Sequence, residues 1–234
     1  MGLRQVKDDA CKQPAVVFVI DDDAGMRDSM DSLIRSIGLQ AKLFAAPGEF
    51  MAEPLPHAPC CLVLDVRLPQ QSGLEFQVEL AKANIRIPII FISGHGDIPM
   101  SVRAMKAGAL EFLTKPFRDQ DLIDAIQNAL ERDKERKDNE IANAYLWSRF
   151  DTLTNREKQI MALVTGGLMN KQAAADLKVS QVTVKLHRAN VMRKMGACSF
   201  AELVKMADAL QLEHHQWTAD GVIRADSEAI AARS

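Results

Sequence analysis

Short apolar runs alternate with amphipathic helical patterns five times between residues 15 and 128. The apolar runs predict strands at 15–21, 39–44, 60–65, 88–93 and 109–113. The segments between them predict helices at 24–37, 47–52, 72–84 and 98–107, and a fifth helix that begins near Asp119. Elements that alternate in this way form a parallel sheet joined by right-handed helical crossovers, so the first half of the chain is predicted to be an α/β domain.

Local signals support these limits. Ser72 and Glu75 have the spacing of a capping box at a helix start, while Gly38 and Gly108 stand where two other helices should end. Residues 129–149 contain five acidic and five basic side chains and neither Pro nor Gly. We interpret this stretch as a solvated helical linker.

From residue 152 the pattern changes to four short helices. The first is predicted to start at the Thr154–Glu157 capping box and to end at Gly166–Gly167, with Asn170 and Ser180 capping the next two helices and Ser199–Glu202 starting the last. The helix at 171–177, a tight turn and the helix at 181–195 have helix-turn-helix spacing. The last helix carries Leu203, Met206, Ala207 and Leu210 on one face.

The resulting organisation has five parts. Residues 1–14 form a polar extension, 15–128 the α/β domain, 129–151 the linker, 152–212 the helical domain and 213–234 a tail, which we expect to be mobile apart from one helical turn near 228–232.

Charge is unevenly distributed along this chain. The whole chain is nearly neutral, with 29 basic and 31 acidic residues, but residues 1–130 hold 13 basic and 17 acidic side chains. Residues 170–195 hold six basic side chains and one acidic one, Asp176. An acidic first half and a basic patch in the second indicate one domain for a metal ion and one for a polyanion.

The cysteine positions and the hydropathy of the chain indicate its expected redox state and cellular compartment. The four cysteines lack the spacing of a metal or redox motif, and the adjacent Cys60 and Cys61 are more typical of small apolar packing. No apolar run approaches a membrane span, and no signal peptide is evident. A reduced, cytoplasmic protein is expected.

Three of the predicted strands end at polar residues. Asp21 and Asp22 follow the first strand, Asp65 ends the third, Ser93 ends the fourth, and Lys115 follows the fifth. Ligands of open α/β sheets bind beyond the carboxyl ends of the strands. The carboxylates suit Mg²⁺, and Asp65 is the predicted nucleophile for an aspartyl phosphate, with Lys115 and Ser93 contacting phosphoryl oxygens.

The helix predicted from Gln181 has two unlike faces. Val184, Val191 and Met195 form its buried stripe, whereas the opposite face carries Val182, Lys185, Leu186, Ala189 and Arg193. An exposed face that is apolar in its centre and basic at its ends fits a DNA major groove, where Leu186 and Ala189 can contact thymine methyl groups and Lys185 can reach guanine. Lys171, Thr183, Arg188 and Lys194 are predicted to hold phosphates.

These motifs resemble a known family. Asp65–Val66–Arg67–Leu68–Pro69, Ser72–Gly73 and Lys115–Pro116–Phe117 resemble the receiver domain of two-component response regulators, and Gly94–His95–Gly96–Asp97–Ile98–Pro99 is similar to the FixJ subgroup. Residues 152–212, with Thr183–Val184–Lys185 and His187, resemble the LuxR/NarL-type helix-turn-helix domain.

The resemblance implies a fold: a flavodoxin-like receiver with five parallel strands in the order 2-1-3-4-5, followed by an all-α four-helix domain whose last helix is a dimer helix. It also implies that Asp65 accepts phosphate from a sensor histidine kinase and that Lys115–Pro116 is a cis peptide. The backbone carbonyl of Arg67 would complete the Mg²⁺ site.

Phe112 would be the aromatic switch residue. Its movement would alter the surface of the fourth helix, fifth strand and fifth helix, through which the phosphorylated protein would form a homodimer. The expected protein is therefore a transcription regulator rather than an enzyme. It would bind promoter DNA through a motif near residues 170–189 and act with RNA polymerase, as an activator.

Two alternatives remain open. Asp21–Asp22–Asp23 superficially matches the start of a haloacid-dehalogenase-type phosphohydrolase, but Gly25 stands where that family has Thr or Val, and no cap domain is evident. A phosphorylation-gated protein-interaction module without DNA output is the second alternative, against which the basic charge of residues 170–195 argues.

Overall fold

The computed structural model describes residues 14–94 and 98–212. The predicted tail and nearly all of the N-terminal extension lie outside the described residues, as does His95. The chain divides into two compact units after Asp138, and each is described by itself.

The first unit is a five-stranded parallel sheet with helices on both faces. Its strands are β1 Val16–Ile20, β2 Gln40–Phe44, β3 Cys60–Asp65, β4 Ile89–Ser93 and β5 Glu111–Thr114, and its first helices are α1 Ala24–Ser36, α2 Pro47–Met51, α3 Gly73–Lys82 and α4 Ile98–Lys106. The strand order is β2-β1-β3-β4-β5, which confirms the predicted topology.

Alternate side chains of the central strands fill two separate cores. Phe18, Leu62 and Phe91 belong to the core on one face, while Val17 and Val63 belong to the core on the other. Strands buried on both faces must be apolar along their whole length, so polar side chains collect where the strands end. The composition of the sheet therefore directs the candidate site to its carboxyl edge.

Helix α5 spans Asp119–Asp151 and is continuous through the division between the units. Its beginning packs on the sheet, with Leu122, Ile126 and Ala129 fully buried. Asp133, also fully buried, accepts a hydrogen bond from the Cys60 N–H at 2.9 Å.

Two cations of the same helix complete this anchor. Arg136 and Lys137 pair with the Asp133 carboxylate at 2.6 and 2.8 Å, and the Lys137 ammonium also donates to the Ala58 carbonyl at 2.7 Å. Asp133 is therefore not part of a solvated helix face, although Glu131, Arg132, Lys134 and Glu135 of the same stretch are exposed as expected for a linker. The sequence does not reveal this burial, because the Cys60 N–H and the Ala58 carbonyl that complete the anchor lie more than 70 residues away in the chain.

The second unit contains the end of α5 and four further helices: α6 Asn155–Thr165, α7 Asn170–Asp176, α8 Gln181–Met195 and α9 Phe200–Ala209. Phe150, Met161 and Leu203 lie in one of its apolar clusters, and Ile160 and Val184 in another. The number and order of helices agree with the predicted helix-turn-helix domain.

The predicted caps are only partly correct. The capping boxes at Ser72–Glu75 and Thr154–Glu157 are both formed. Asn170 is the first residue of α7 rather than its cap, because the N-cap position is Met169, whose N–H donates to the Gln172 side chain at 2.8 Å.

At the last helix only half of the predicted capping box forms. The Ser199 hydroxyl accepts from the Glu202 N–H as expected. The Glu202 carboxylate, however, accepts from the Cys198 N–H at 2.7 Å instead of returning to Ser199.

The apolar face of α9 packs inside its own unit. Leu203, Ala207 and Leu210 are buried and Met206 is partly buried in the same cluster. These four side chains are therefore engaged within the unit, and the expectation that α9 is a dimer helix stays a prediction that concerns its other faces.

Candidate functional site

Three carboxylates meet at the carboxyl edge of the sheet. Asp21 and Asp22 follow β1, and Asp65 is the last residue of β3, which pairs directly with β1. One oxygen atom from each carboxylate lies within 4.8 Å of the other two. Because Mg²⁺ is held by hard oxygen ligands and retains several waters, this donor set fits a magnesium ion.

Lys115 joins two of these carboxylates. It follows β5, and its N–H donates to the Ser93 carbonyl at 2.8 Å, which holds the loop against the end of β4. Its ammonium lies 2.7 Å from Asp21 Oδ2 and 2.6 Å from Asp65 Oδ2. The peptide bond between Lys115 and Pro116 is cis, as the resemblance implies.

Burial and pairing set the charges of this cluster. Burial of the fully enclosed Asp21 raises its pKa above the ordinary value, although hydrogen bonds from Lys115 and the Asp23 N–H oppose the rise. For Lys115 burial lowers the pKa, but the hydrogen bonds to Asp21 and Asp65 outweigh it, so that its pKa is raised. The lysine is therefore a permanent cation at neutral pH.

Asp65 is held by backbone groups. Its Oδ1 accepts from the Arg67 N–H at 2.9 Å. A Cβ atom at Gly73 would collide with the carbonyl oxygen of Asp65, so only glycine permits this approach of α3 to the site. In the sequence, a glycine directly after the capping Ser72 is the only local sign of this contact.

Two further residues around Asp21 have structural duties that the sequence pattern did not assign. The Asp23 side chain caps α1 by accepting from the Gly25 and Met26 N–H groups at 2.8 and 3.3 Å. The Arg27 guanidinium donates to the Asp21 carbonyl at 2.6 Å. An acidic residue before a helix is a recognisable capping signal, whereas the Arg27 contact depends on the tertiary fold.

The remaining predicted receiver residues lie at the same edge or close to it. Ser93 is fully buried at the end of β4. Phe112 of β5 is half-buried, pairs in register with Phe91 and lies 6.3 Å from it between ring centroids. For Arg67 the structure records the N–H, not the carbonyl, in contact with Asp65.

In the second unit α8 has the two faces expected. Val184, Val191 and Met195 are buried, whereas Val182 and Leu186 are 75% and 61% exposed. The basic and small positions of the outer face, Lys185, Ala189 and Arg193, are exposed as well. Leaving two large aliphatic side chains in water is unfavourable unless a partner covers them.

The predicted phosphate contacts differ from one another. Lys171 is exposed at the start of α7. The Arg188 guanidinium lies 4.2 Å from the centre of the Phe200 ring and donates to Asn170 Oδ1 at 3.3 Å. The Thr183 hydroxyl is hydrogen-bonded to that of Ser180 at 2.8 Å.

Lys194 is committed within the unit, because its ammonium pairs with the buried Glu157 at 2.6 Å. Lys194 and Arg188 therefore serve the fold of the domain as well as its charge.

Comparison with known proteins identifies both units. Residues 17–127 match the response regulator receiver domain, and residues 151–207 match the bacterial regulatory proteins of the luxR family. Nodulation protein W of Bradyrhizobium diazoefficiens is 54% identical over 196 residues, which cover 84% of this chain and 86% of that protein. The transcriptional regulatory protein FixJ of Rhizobium meliloti is 42% identical over 192 residues, which cover 82% of this chain and 94% of that protein.

The chain belongs to the FixJ/NarL family of response regulators. A solved structure of the response regulator StyR is similar to it, with 45% identity, a TM-score of 0.74 and coverage of 84% of this chain and 99% of that chain. As a FixJ/NarL-type response regulator, the protein is a DNA-binding two-component regulator of transcription, not an enzyme. This assignment removes the phosphohydrolase alternative.

The architecture of this response regulator also bears on membrane association. Among the helices in the described parts of the chain, none is both long and apolar enough to cross a bilayer.

Proposed function

We propose that this response regulator is switched by phosphorylation of Asp65, and that the phosphorylated form dimerises on promoter DNA and activates transcription. The observation that carries the proposal is the pairing of Asp65 and Asp21 with one lysine ammonium at the edge of the sheet. The Lys115 ammonium pairs with the two carboxylates now, and it could pair with an oxygen of an incoming phosphoryl group without leaving the site.

In the proposed reaction a carboxylate oxygen of Asp65 attacks the phosphorus of a phosphohistidine on the kinase. The O–P bond forms as the P–N bond breaks, and the electron pair of that bond returns to the imidazole nitrogen. Lys115 then pairs with a phosphoryl oxygen, and the Ser93 hydroxyl donates to another. Mg²⁺, held by Asp21, Asp22, Asp65 and the Arg67 carbonyl, would neutralise charge on the phosphoryl oxygens.

We infer that the switch is a population shift between two packings of the same receiver. Movement of Ser93 toward the phosphoryl group would leave space that Phe112 could fill, and because Phe112 is half-buried, an inward turn would bury more of its ring. Apolar side chains on the neighbouring α4 support a dimer surface there, because Ile98, Val102 and Met105 are 80%, 44% and 44% exposed.

For DNA we propose that α8 enters the major groove with Val182, Lys185, Leu186 and Ala189 toward the bases. Lys171, Thr183, Arg188 and Arg193 would lie near phosphates. A two-fold dimer would select an inverted repeat. We also propose that activation involves RNA polymerase and that the protein acts in the cytoplasm, where these partners would be found.

The test is selection of genomic DNA fragments by the purified full-length protein, with and without Mg²⁺ and beryllium fluoride as a phosphoryl mimic. We expect an inverted-repeat motif to be enriched only with the mimic. Asp65→Asn should abolish this response, whereas Asp28→Asn, an exposed carboxylate of α1, should keep it.

Enrichment that is equal with and without the mimic would contradict phosphorylation control. An unaltered response of Asp65→Asn would contradict the assignment of the site. If no sequence is enriched in either condition, the assigned base-reading face of α8 is wrong.

A further inference from the structure

The carboxyl end of α8 is held by an arginine from the end of α5. Arg149 Nε donates to the Lys194 carbonyl at 2.8 Å, five residues after Ala189, the last residue of the proposed base-reading face. The last carbonyls of a helix have no donor within the helix, and the carboxyl end carries partial negative charge. The Arg149 guanidinium supplies a donor to one of these carbonyls and a positive charge beside the partial negative charge of the helix end.

The chain leaves room for this arginine by placing a glycine against it. Gly196 ends α8 with φ of +72°. A Cβ atom there would lie 2.7 Å from the Cζ and both Nη atoms of Arg149. Gly196 therefore has two roles: it adopts the left-handed conformation that ends α8, and it leaves space for the Arg149 guanidinium.

Further contacts fix the arginine and the helix end. The Tyr145 hydroxyl accepts from Arg149 Nη1 at 2.5 Å, and the guanidinium carbon lies 5.4 Å from the centre of the Tyr145 ring. The Lys194 side chain leaves in another direction, to the Thr152 carbonyl at 3.3 Å and to Glu157 at 2.6 Å. The end of α8 is thus fixed to α5 and α6 through both the backbone and the side chain of one residue.

The other end of α8 is held by different contacts, because Val184 is fully buried in the apolar cluster that contains Ile160. The Ser180 hydroxyl caps this end, and Val182, Lys185 and Leu186 face water. Lys185 stands nine residues before Lys194, so that it lies about 13 Å along the helix axis from the carboxyl end at about 1.5 Å per residue. Loss of the contacts at the carboxyl end would therefore change the angle of α8 about its buried residues Val184 and Val191 and displace the side chains that would contact bases.

We propose that Arg149 is a positioning residue for DNA sequence recognition, which sets the angle of α8 by holding its carboxyl end. The inference rests on the proposed use of α8 to read DNA. Arg149 need not touch DNA, and its loss should affect base contacts, which demand exact geometry, more than phosphate contacts, which tolerate displacement.

The test compares Arg149→Gln with Lys205→Gln in the full-length protein with Mg²⁺ and beryllium fluoride. Lys205 is an exposed cation of α9, so its variant loses the same charge from the same unit. Binding is measured on the selected duplex and on a scrambled duplex at several salt concentrations. We expect Arg149→Gln to weaken binding to the selected duplex about tenfold, as for loss of a charged hydrogen bond. Its affinity for the scrambled duplex and its slope of log affinity against log salt should equal those of Lys205→Gln.

Tyr145→Phe is a milder variant that tests the same idea if Arg149→Gln does not fold. It keeps the ring and removes only the hydroxyl, and we expect an effect of the same kind but about threefold, as for a weaker hydrogen bond. Arg149→Lys should restore part of the specificity, because lysine can donate to the carbonyl but lacks the planar fork.

Equal losses on the two duplexes, or no loss on either, would overturn the proposal. A wild-type protein that does not distinguish the duplexes would instead refute the DNA-reading function on which the proposal rests.

Discussion

At the scale of single residues, the acidic edge is arranged for an incoming charge rather than for stability. Asp21 is fully buried and its pKa is raised by that burial, even though Lys115 lies 2.7 Å away. The net environment therefore disfavours the ionised form of this side chain. Active sites commonly retain such unfavourable groups because function requires them.

Asp21→Asn should raise the melting temperature of the metal-free protein by about 2–4 °C, because the amide can still accept from the Asp23 N–H without the cost of a buried charge. Because the pKa of Asp21 is raised in the folded protein, the wild-type protein bears the full free-energy cost of the buried charge only at pH values above that pKa. The difference should shrink as the pH falls through it. Calorimetry from pH 8 to pH 4 without divalent cations measures it, with Asp28→Asn as the control. A lower melting temperature for the variant would contradict this account.

Glu157 has the opposite balance. Burial pushes its pKa upward, but hydrogen bonds from Lys194 and Thr154 outweigh this and lower the pKa below the ordinary value. Glu157→Gln should destabilise the second unit by about 1–3 kcal/mol at neutral pH. Because the folded pKa is lowered, this contribution is present above the ordinary pKa and is lost as the pH falls through the folded one.

Urea unfolding at pH 7 and at acidic pH measures the effect of Glu157→Gln. Asp208→Asn, an exposed carboxylate of α9, provides the matched control. A difference from wild type that does not change with pH would show that shape, and not charge, makes Glu157 important.

At the scale of helices and strands, the sequence predicted correctly those features whose signal lies within a few neighbouring residues. The strands and the position of Asp65 followed from apolar runs, because a strand buried on both faces has no alternative composition. Ser72 and Thr154 were found because a capping box lies within four residues.

Other features of the elements were beyond local reading. The anchoring of α5 by Asp133 was missed, since alternating charges on a helix read as a solvated face until a distant partner is known. The cap at Asn170 was placed one residue late, because a polar residue at a helix start does not reveal whether it precedes the first turn or belongs to it.

Asp133→Asn should destabilise the first unit by about 3 kcal/mol or more, because it leaves Arg136 and Lys137 without their buried partner. Glu135→Gln, an exposed change on the same helix, should have little effect. Urea unfolding of the two variants measures the difference. Equal stability would mean that α5 is held there by its apolar residues alone.

At the scale of the whole molecule, the two units divide the chemistry by charge. The carboxylates at the edge of the sheet favour a cation, and the exposed basic side chains of α7 and α8 favour a polyanion. A total charge of only −2 conceals this division, which explains why the overall composition was uninformative and the regional counts were not.

This division predicts two kinds of lysine variant. Lys171→Ala should weaken binding to every duplex similarly and reduce the slope of log affinity against log salt by about one, as for one lost phosphate contact. Lys185→Ala should weaken binding to the selected site about tenfold and leave scrambled binding nearly unchanged. Titrations at several salt concentrations measure both effects, and identical behaviour of the two variants would contradict their assignment to different groups.

If α8 reads DNA as proposed, contact of the exposed Val182 and Leu186 with DNA would give specific binding a dependence on temperature that differs from its dependence on salt. Covering aliphatic surface removes ordered water, so that specific complex formation lowers the heat capacity of the system, whereas the release of counterions from phosphates responds mainly to salt. Preference for the correct site and affinity for DNA in general thus depend on different physical variables. Temperature would alter the preference for the correct site through Val182 and Leu186, and salt would alter the general affinity for DNA through the lysines and arginines around them.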